Sequence, residues 1–293
     1  MTTHALGQIS IQRIVESICV EFDAASFFPE TTPDDWARHR PWMEPWALDP
    51  VSEKLVLTIQ AFLVRTRHHT ILIDTCVGDH KPRPVRPFWH MQRLNTFIPR
   101  LSAAGVTPEQ VDYVMCTHLH WDHVGWNTQL RDGRWVPTFP NAKYIFAELE
   151  WKAMEALHGR SPQPHFIDSI LPVMEARQAR LVATDFALDD EVWLEPTPGH
   201  TPGHVCVRLA SQGKKAVITG DCIHSPVQCL EPKWIMRADA DPAVASTTRT
   251  RFLEGCCDSG VTVCATHFPE PSFGRIVRRR EGFWFDYDPP RSV

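Results

Sequence analysis

Apolar and polar residues follow two patterns along this chain, one typical of strands and one of helices. Short runs rich in β-branched and aromatic residues predict buried strands, because successive side chains of a strand point to opposite faces of a sheet. Turn-forming Gly, Pro, Asn and Asp residues separate these runs. The predicted strands lie at 9–22, 54–65, 69–74, 111–116, 192–194, 216–219 and 261–266.

Longer amphipathic segments between the strand runs predict helices. They are expected at 91–104, 146–158, 166–177 and 241–258. The first ends at Gly105, and Asp239 or Asp241 is the expected cap of the last. Strands and helices are mixed along the chain, with no internal repeat and no linker. We therefore expect an α/β protein with a single domain over residues 1–293.

The segment 27–50 differs from the rest of the chain in composition. Three tryptophans, Trp36, Trp42 and Trp46, are interleaved with five prolines, and no helix or strand period is visible. A disordered tail would be poor in aromatic residues. We therefore expect an ordered N-terminal extension that acts as a lid or as the arm of a homodimer.

Three histidines and one aspartate fall within the six residues that follow Thr117. Imidazole and carboxylate groups are ligands of Zn²⁺ and of the other first-row metals. One helical stripe cannot hold all four, because side chains at these spacings point around most of a helix. We expect a turn that leaves the strand at 111–116 and gathers the four side chains around a metal. These candidates are His118, His120, Asp122 and His123.

Three more polar side chains follow apolar runs further along the chain. They are His200, Asp221 and His267. Each has the same context as the histidine cluster, a polar side chain directly after an apolar stretch. Seven ligands are too many for one tetrahedral ion, so the sequence predicts two divalent cations. Zinc is the first choice, and Mn, Fe or Co are the alternatives.

These segments together resemble the metallo-β-lactamase superfamily, from about residue 55 to about residue 277. The matching strings are 73–75, 118–123, 198–204, 220–221 and 266–267. The resemblance implies an αβ/βα sandwich of four layers, with two mixed β-sheets face to face, helices outside and the metals at one edge. It also implies a division of the ligands: His118, His120 and His200 for one metal, Asp122, His123 and His267 for the second, and Asp221 as the bridge.

Two strings, 220–228 and 269–274, are similar to the lactonase and methyl parathion hydrolase-like branch of that superfamily. The related lactonases carry a Tyr three residues after the bridging Asp, where this chain has His224. The resemblance therefore implies a hydrolase of esters, lactones or phosphotriesters. The departure at His224 counts against acyl-homoserine lactones as the native substrate.

The expected mechanism needs no serine or cysteine nucleophile. Two metals about 3.5–4 Å apart hold a bridging hydroxide at neutral pH, because a bound metal lowers the pKa of water to about 7. Asp122 and His224 are the candidate catalytic residues, and His224 is expected to assist the leaving oxygen without binding a metal. Asp74 and Thr201 are candidates for orienting the histidines.

Aromatic residues near the motifs predict a rather apolar substrate. The candidates for substrate contact are Trp89, Trp121, Trp126, Cys222, Phe268 and Phe273. No Lys or Arg stands beside the histidine cluster, which argues against β-lactam and nucleotide substrates. Three other interpretations stay open: a thioesterase, glyoxalase-II-like or β-lactamase-like hydrolase, an iron-dependent oxidoreductase, and a binding protein without catalysis.

Composition bears on partners and location. The chain has a formal net charge of −5, 43% hydrophobic residues and 22% charged residues, values typical of a folded enzyme. No stretch approaches the roughly 18 apolar residues of a membrane span, and no signal-peptide pattern begins the sequence. The nine cysteines lie mostly in apolar runs and suit a reducing compartment. We expect a cytoplasmic enzyme that acts on a small molecule and binds neither nucleic acid nor membranes.

Overall fold

The computed structural model describes residues 3–288, whose strands pack into two large sheets and one hairpin. The strands are β1 (Thr3–Leu6), β2 (Ile9–Asp23), β3 (Lys54–Arg65), β4 (Thr70–Ile73), β5 (Tyr113–Met115), β6 (Thr128–Arg131), β7 (Arg134–Pro137), β8 (Lys143–Ala147), β9 (Ala179–Val182), β10 (Val192–Pro196), β11 (Val205–Ser211), β12 (Lys214–Ile218), β13 (Thr262–Cys264), β14 (Phe273–Arg279) and β15 (Gly282–Tyr287). The α-helices are α1 (Ala24–Phe27), α2 (Pro33–Met43), α3 (Phe97–Ala103), α4 (Trp121–Val124), α5 (Glu148–Arg160), α6 (Leu171–Glu175), α7 (Val227–Leu230) and α8 (Pro242–Cys256).

Both large sheets mix parallel and antiparallel strands. The first sheet has the order β1-β2-β3-β4-β5-β8-β9, and the second runs from β10 to β15 in sequence order. In the first sheet β4, β5, β8 and β9 are parallel neighbours. In the second sheet β12 and β13 are parallel, and the other neighbours are antiparallel. Strands β6 and β7 form the separate hairpin.

Alternate side chains of the strands enter different core clusters. In β3, Phe62 and Val64 belong to the cluster between the two sheets, whereas Ala61 and Leu63 belong to the cluster under the helices of the first sheet. A third cluster packs α8 on the outer face of the second sheet, with Phe252 among its members. Helix, sheet, sheet and helix therefore stack in four layers. The predicted αβ/βα sandwich is confirmed.

The regular elements follow the sequence pattern closely where the pattern is long. Every predicted strand is present, and the structure has eight further strands that were not predicted: β1, β6, β7, β8, β9, β11, β14 and β15. The helices expected at 146–158 and 241–258 are α5 and α8, and Asp241 caps α8 by accepting a hydrogen bond from the Val244 backbone N–H at 3.0 Å. Within residues 3–288, no helix combines the length and apolar character that crossing a bilayer requires.

Two predicted helices are shorter than expected. Only the second half of 91–104 is helical, as α3, because Met91 and Asn95 have left-handed backbone conformations with φ of 54° and 51°. The Asp79 carboxylate stabilises this loop by accepting hydrogen bonds from the backbone N–H groups of Leu94 and Asn95, both at 2.9 Å. The segment 166–177 divides into a π-helical turn, Phe166–Ile170, and the short helix α6.

The prediction that 27–50 has no helical period was wrong, because the segment contains α2. Thr32 and Asp35 form a capping box at its start: the Thr32 hydroxyl accepts from Asp35 N at 3.3 Å, and the Asp35 carboxylate accepts from Thr32 N at 2.9 Å. Pro33 occupies the first helical turn, where its missing N–H costs nothing. This start signal is visible in the sequence but is obscured by the prolines around it.

The tryptophans of the extension pack on the body of the same chain. Trp36 is 5% exposed and lies against Phe28 and Trp234, with ring centroids 6.1 and 5.1 Å away. Trp42 packs on Trp284, at 4.7 Å between centroids. The extension therefore contributes to the core on the helix side of the first sheet.

We predict that Trp36→Ala lowers the free energy of unfolding by about 3–5 kcal/mol, the usual cost of truncating a buried Trp. The substitution also removes the hydrogen bond from the indole N–H to the Thr31 hydroxyl, 2.9 Å long. Urea denaturation followed by circular dichroism measures the change. Arg38→Ala, on the exposed face of α2, is the control and should cost less than about 0.5 kcal/mol. Equal stability of Trp36→Ala and the parent chain would show that the extension does not belong to the core.

Candidate metal centre and substrate cleft

Four strands end at one edge of the sandwich, and each leads into a polar side chain of the candidate site. Strands β4 and β5 of the first sheet lead to Asp74 and His118, and β12 and β13 of the second sheet lead to Asp221 and His267. Two cross-sheet backbone hydrogen bonds hold the edges together: Val205 N donates to Thr117 O, and Thr58 N donates to His267 O, both at 2.9 Å. The site therefore lies on the seam between the two sheets.

The histidine-rich segment forms a loop followed by one helical turn. His118 and His120 lie in the loop, and Asp122 and His123 lie in α4. The chain then passes directly over the loop after β4. A Cβ atom at Gly125 would lie 1.8 Å from Val77 O, so only glycine permits this approach. The predicted turn is present, but its second half is helical.

The seven candidate ligands form two groups. The first contains His118, His120, His200 and Asp221, and the second contains Asp122, His123 and His267. Within each group, the ligand atoms lie within 4.8 Å of one another. In the first group the Nε2 atoms of His118 and His200 are 3.1 and 2.9 Å from His120 Nδ1. The five histidines and Asp122 are grouped as the resemblance implies, and Asp221 falls in the first group.

Asp221 lies between the two groups and directs one oxygen toward each. Its Oδ1 is 3.1 Å from His123 Nε2 and 3.0 Å from His267 Nε2. Its Oδ2 is 3.2 Å from His200 Nε2 and 3.7 Å from His118 Nε2. A single carboxylate therefore contacts both sets of imidazoles, as a bridging ligand must.

The second nitrogen of four imidazoles is held by a polar partner. The pairs are His118 Nδ1 with Thr117 Oγ1 (3.1 Å), His123 Nδ1 with Asp74 Oδ2 (2.9 Å), His200 Nδ1 with Asp239 Oδ1 (2.9 Å) and His267 Nδ1 with Thr58 O (3.0 Å). The sequence pointed to Asp74, whereas Asp239 and Thr58 were missed because they are distant along the chain. The hydroxyl of Thr201, the other candidate, makes no hydrogen bond to a histidine within the described part of the chain.

The donor set fits divalent cations. Carboxylate and carbonyl oxygens only accept hydrogen bonds, so Nδ1 of His123 and of His267 carries a proton, and each ring in its neutral form presents a lone pair at Nε2. Both Nε2 atoms then face Asp221 Oδ1, which has no hydrogen-bond partner within residues 3–288. Three acceptor atoms about 3 Å apart repel one another unless a cation lies among them. This arrangement is the one that a metal ion would stabilise.

Protons and cations compete for these positions. Burial disfavours the charged form of His200, but the carboxylates of Asp221 and Asp239 outweigh it and raise its pKa to about 9. Burial also opposes ionisation of Asp221, yet the surrounding imidazoles, His123 first, hold its pKa well below the ordinary value. Burial keeps the pKa of His118 and His120 well below the ordinary value of histidine. Metal binding must therefore displace protons from some of the ligands.

Two residues that the sequence analysis missed fix the loops around the centre. The buried Glu150 carboxylate accepts hydrogen bonds from Leu119 N at 3.1 Å and from Gly203 N at 3.0 Å, and so ties the two histidine loops together. His204 Nε2 accepts a hydrogen bond from Asp221 N at 2.9 Å. Only the position of His204 in the string 198–204 hinted at its role, and nothing in the sequence marked Glu150.

A cleft of about 160 Å³ opens beside the metal centre. Asp122, Asp221 and His267 lie in its wall together with His120 and His224. The rest of the lining is mainly apolar and comes from several elements: Phe22, Phe27, Leu57, Ile59, Trp89, Trp121, Met154, Leu157, Met236 and Ala238. The predicted apolar character of the cleft agrees with this lining.

Only two of the six candidate substrate contacts line this cleft, Trp89 and Trp121. The other four pack in the core. Trp126 stacks on Phe97 at 5.6 Å, because the chain turns back at Gly125. Cys222 and Phe268 belong to the cluster on the outer face of the second sheet, and Phe273 lies between the sheets. These four side chains are close to the candidate ligands in sequence, but they do not lie in the cleft.

The cleft also contains three polar residues that the sequence analysis did not consider: Arg86, Gln163 and His165. The Arg86 guanidinium lies 5.4 Å from the centre of the Trp121 ring. The absence of a basic side chain beside the histidine cluster therefore holds along the sequence but not in space, because a distant loop carries Arg86 into the cleft.

His224 lies beside the bridging carboxylate and lines the cleft. Its Nε2 is 3.0 Å from Asp221 Oδ2, and its Nδ1 has no hydrogen-bond partner within residues 3–288. Phe27 contacts the edge of the ring, with 5.5 Å between centroids. Burial lowers the pKa of His224, although Asp221 opposes this shift, so the ring is neutral at pH 7.

Solved structures share this fold over almost the whole chain. AidC, a dizinc quorum-quenching lactonase solved with a bound product, covers 100% of this chain and 97% of its own, with a TM-score of 0.79 at 21% identity. AbOPH, a hydrolase in the beta-lactamase superfamily, covers 99% and 97%, with a TM-score of 0.78 at 24% identity. At these identities the likeness concerns the fold.

The sequence is similar to N-acyl homoserine lactonases of a Bacillus species and of Bacillus thuringiensis, at 26% identity over 178 and 184 residues. These matches cover 57% and 59% of this chain and 64% and 66% of the relatives, just under two thirds of their length. The family model of the metallo-beta-lactamase superfamily matches residues 56–252. The chain therefore belongs to the metallo-beta-lactamase superfamily.

Proposed function

We propose that this protein is a hydrolase that holds two divalent cations, zinc first, and cleaves an ester, lactone or phosphotriester of a rather apolar substrate. One observation carries the proposal: the Asp221 carboxylate lies between two groups of ligands in the wall of an apolar cleft. Two cations held by these residues would supply a water of lowered pKa and would polarise the bond to be broken. Superfamily membership and the dizinc character of AidC support the assignment.

Among the three substrate classes, lactones have additional support from the relatives, which are named N-acyl homoserine lactonases. The substrate of this chain is proposed to differ from theirs, because His224 stands where the related lactonases carry a Tyr. An imidazole and a phenol place their hydrogen-bonding atoms at different distances from the backbone. We infer a carbonyl or phosphoryl ester whose leaving oxygen lies beside His224.

The side chains of the cleft have distinct proposed roles. His118, His120 and His200 would hold one cation, Asp122, His123 and His267 would hold the second, and Asp221 would contribute to both. Asp122 is the most exposed member of its group, at 14%, and so faces the attacking water. His224 Nε2 lies 3.0 Å from Asp221 Oδ2, so the neutral ring carries its proton there. With a cation on that carboxylate, this N–H would be free to donate a hydrogen bond to the leaving oxygen. Trp89 and Trp121 hold the apolar part of the substrate and exclude water.

Two further expectations remain proposals. A homodimer through the N-terminal extension is supported by the groove of about 400 Å³ that Trp42, Trp284 and Arg38 line on the surface. A reducing, cytoplasmic location is supported by the cysteines, of which eight are buried and none is in a disulfide within residues 3–288.

We predict that metal analysis of the untreated protein finds about two equivalents of divalent metal per chain, mainly zinc. Asp221→Asn should weaken both sites and nearly abolish hydrolysis, because its oxygens face both groups. Asp286→Asn, at an exposed position of β15, is the matched control and should keep metal and activity. A single tight equivalent, or full activity of Asp221→Asn, would contradict the bridging assignment.

A second prediction concerns Asp239, which accepts the Nδ1 proton of His200. Asp239→Asn should weaken binding of one of the two cations by about 10–100-fold, the usual effect of losing such an orienting group. Competition with a chromogenic chelator measures both affinities. Asp241→Ala, two residues along, removes a helix cap instead and should lower stability without changing metal affinity. If both variants bind metal like the parent chain, Asp239 has no orienting role.

A third prediction concerns His224. His224→Ala should retain both cations and lower kcat by about 100-fold, most for esters with poor leaving groups, because those need a hydrogen bond or proton at the leaving oxygen. His224→Tyr should recover part of this loss. A series of phenyl esters with different leaving-group pKa values, measured together with metal content, provides the test. Loss of metal would make His224 a ligand, and an equal fall for all leaving groups would make it structural.

A further inference from the structure

The cleft contains one buried histidine that the proposed hydrolysis does not use. His165 is 3% exposed, lines the cleft, and has no hydrogen-bond partner at either ring nitrogen within residues 3–288. Leaving a buried polar group unpaired costs about 1–3 kcal/mol. The π-helical turn Phe166–Ile170 starts directly after it, and such turns are frequent at functional sites. His165 therefore has the features of a side chain that awaits a ligand.

Arg86 is a second unpaired group in the same cleft. No carboxylate within residues 3–288 lies within salt-bridge distance of its guanidinium, and its buried Nε has no hydrogen-bond partner. Its Nη1 reaches only Val85 O, at 3.5 Å. Arg83, three residues earlier, is by contrast bonded twice to Asp168, at 2.6 and 3.1 Å. The positive charge of Arg86 thus stays uncompensated at the cleft wall.

Both groups contact the indole of Trp121. The Arg86 guanidinium lies 5.4 Å from the Trp121 ring centre, and the His165 ring lies 5.8 Å from it. Trp121 stands between the candidate ligands His120 and Asp122. Arg86 and His165 are therefore close to the place where the bond would be cleaved.

A buried ion pair holds the two segments in this arrangement. Arg83 and Asp168 join the loop of Arg86 to the turn that follows His165, and each lies three residues from the group it positions. Lys81 donates a hydrogen bond to Asp168 O at 3.0 Å and strengthens the same junction. The placement of Arg86 and His165 is therefore built into the packing and does not depend on a mobile side chain.

We propose that Arg86 and His165 form a subsite for an anionic group of the substrate, such as a carboxylate, next to the ester, lactone or phosphotriester bond. A carboxylate offers acceptors only, and Arg86 offers N–H donors together with a positive charge. His165 supplies one further N–H. Hydrocarbon in this position would leave both groups unpaired. The proposal rests on the proposed function and narrows its substrate to an apolar ester that also carries a negative charge.

The protonation state of His165 is consistent with this role. Burial, assisted by the positive charge of Arg83, lowers its pKa to about 3. At pH 7 the ring is therefore neutral, with one donor and one acceptor nitrogen. The charge that attracts an anion comes from Arg86, and the His165 N–H adds direction.

Matched pairs of chromogenic esters test the subsite. The acyl-side pairs are the p-nitrophenyl half-esters of adipic and suberic acid and their methyl esters. A leaving-group pair is 4-carboxyphenyl hexanoate and its methyl ester. In Arg86→Met, the ratio of kcat/KM for the acid to that for the neutral ester should fall about 10–100-fold relative to the parent enzyme in at least one pair. Most of this change should be in KM for the acid.

Further variants separate a specific contact from general charge. Arg86→Lys should recover part of the ratio, and His165→Phe, which keeps an aromatic ring, should lower it about 3–10-fold. Arg93→Met removes the same charge from an exposed position outside the cleft and should leave the ratio unchanged. An unchanged ratio in Arg86→Met for all pairs, or an equal fall in Arg93→Met, would overturn the subsite while the proposed hydrolysis stands.

Failure of the proposed function has a different signature. The metal-loaded parent enzyme would then cleave none of these esters. In that case the affinities for monomethyl adipate and dimethyl adipate, measured by calorimetry, test whether the subsite binds an anionic group. The parent chain should prefer the acid, and Arg86→Met should lose about 10–100-fold of that preference whereas Arg93→Met keeps it. Equal preference in all three proteins would end the proposal.

Discussion

The position of the Asp221 carboxylate is the constraint on which the rest of the site depends. A buried carboxylate is costly unless positive charge or hydrogen bonds surround it. Here imidazoles approach both of its oxygens, and its backbone N–H is held by His204. The approach requires glycine at the preceding position: Gly220 has φ of 49°, and a Cβ atom there would lie 2.7 Å from His204 Nε2. The backbone conformation at the end of β12 thus depends on the placement of the Asp221 side chain.

The two halves of the sandwich meet at this carboxylate. Asp221 and His267 leave strands of the second sheet, whereas His118 and His123 follow a strand of the first. Backbone hydrogen bonds cross the seam, and the Gln60 side-chain amide adds others, the shortest to Thr266 O at 2.8 Å. Cations bound here would join ligands of both sheets. Metal binding and the mutual packing of the sheets are therefore coupled by the geometry of the fold.

The sequence predicted the features that depend on strand ends. Each of the seven ligand candidates follows an apolar run closely, and parallel neighbours must end at a common edge. The sequence could not predict features that depend on long-range contacts. Asp79, for example, holds the backbone of Asn95 in a loop, so the first half of the expected helix does not form. Phe268 was expected in the cleft but belongs to the core on the outer face of the second sheet, because the chain turns after β13.

Arg86 is another residue whose position could not be predicted from the sequence. More than thirty residues separate it from the histidine cluster, and the Arg83–Asp168 pair holds its loop at the cleft. The positions of the metal ligands and the shape of the cleft wall have different sources in the fold. Strand ends and backbone hydrogen bonds across the sheets fix the ligand positions, whereas the cleft wall comes from irregular loops and short helices. Trp121 joins the two, since it lies between two ligands and contacts both Arg86 and His165. Loops of this kind can change substrate preference while the sheets keep the ligands in place. The chemistry of the metal centre and the preference for a substrate are thus carried by different parts of the fold. Trp121 is the residue that connects the two parts.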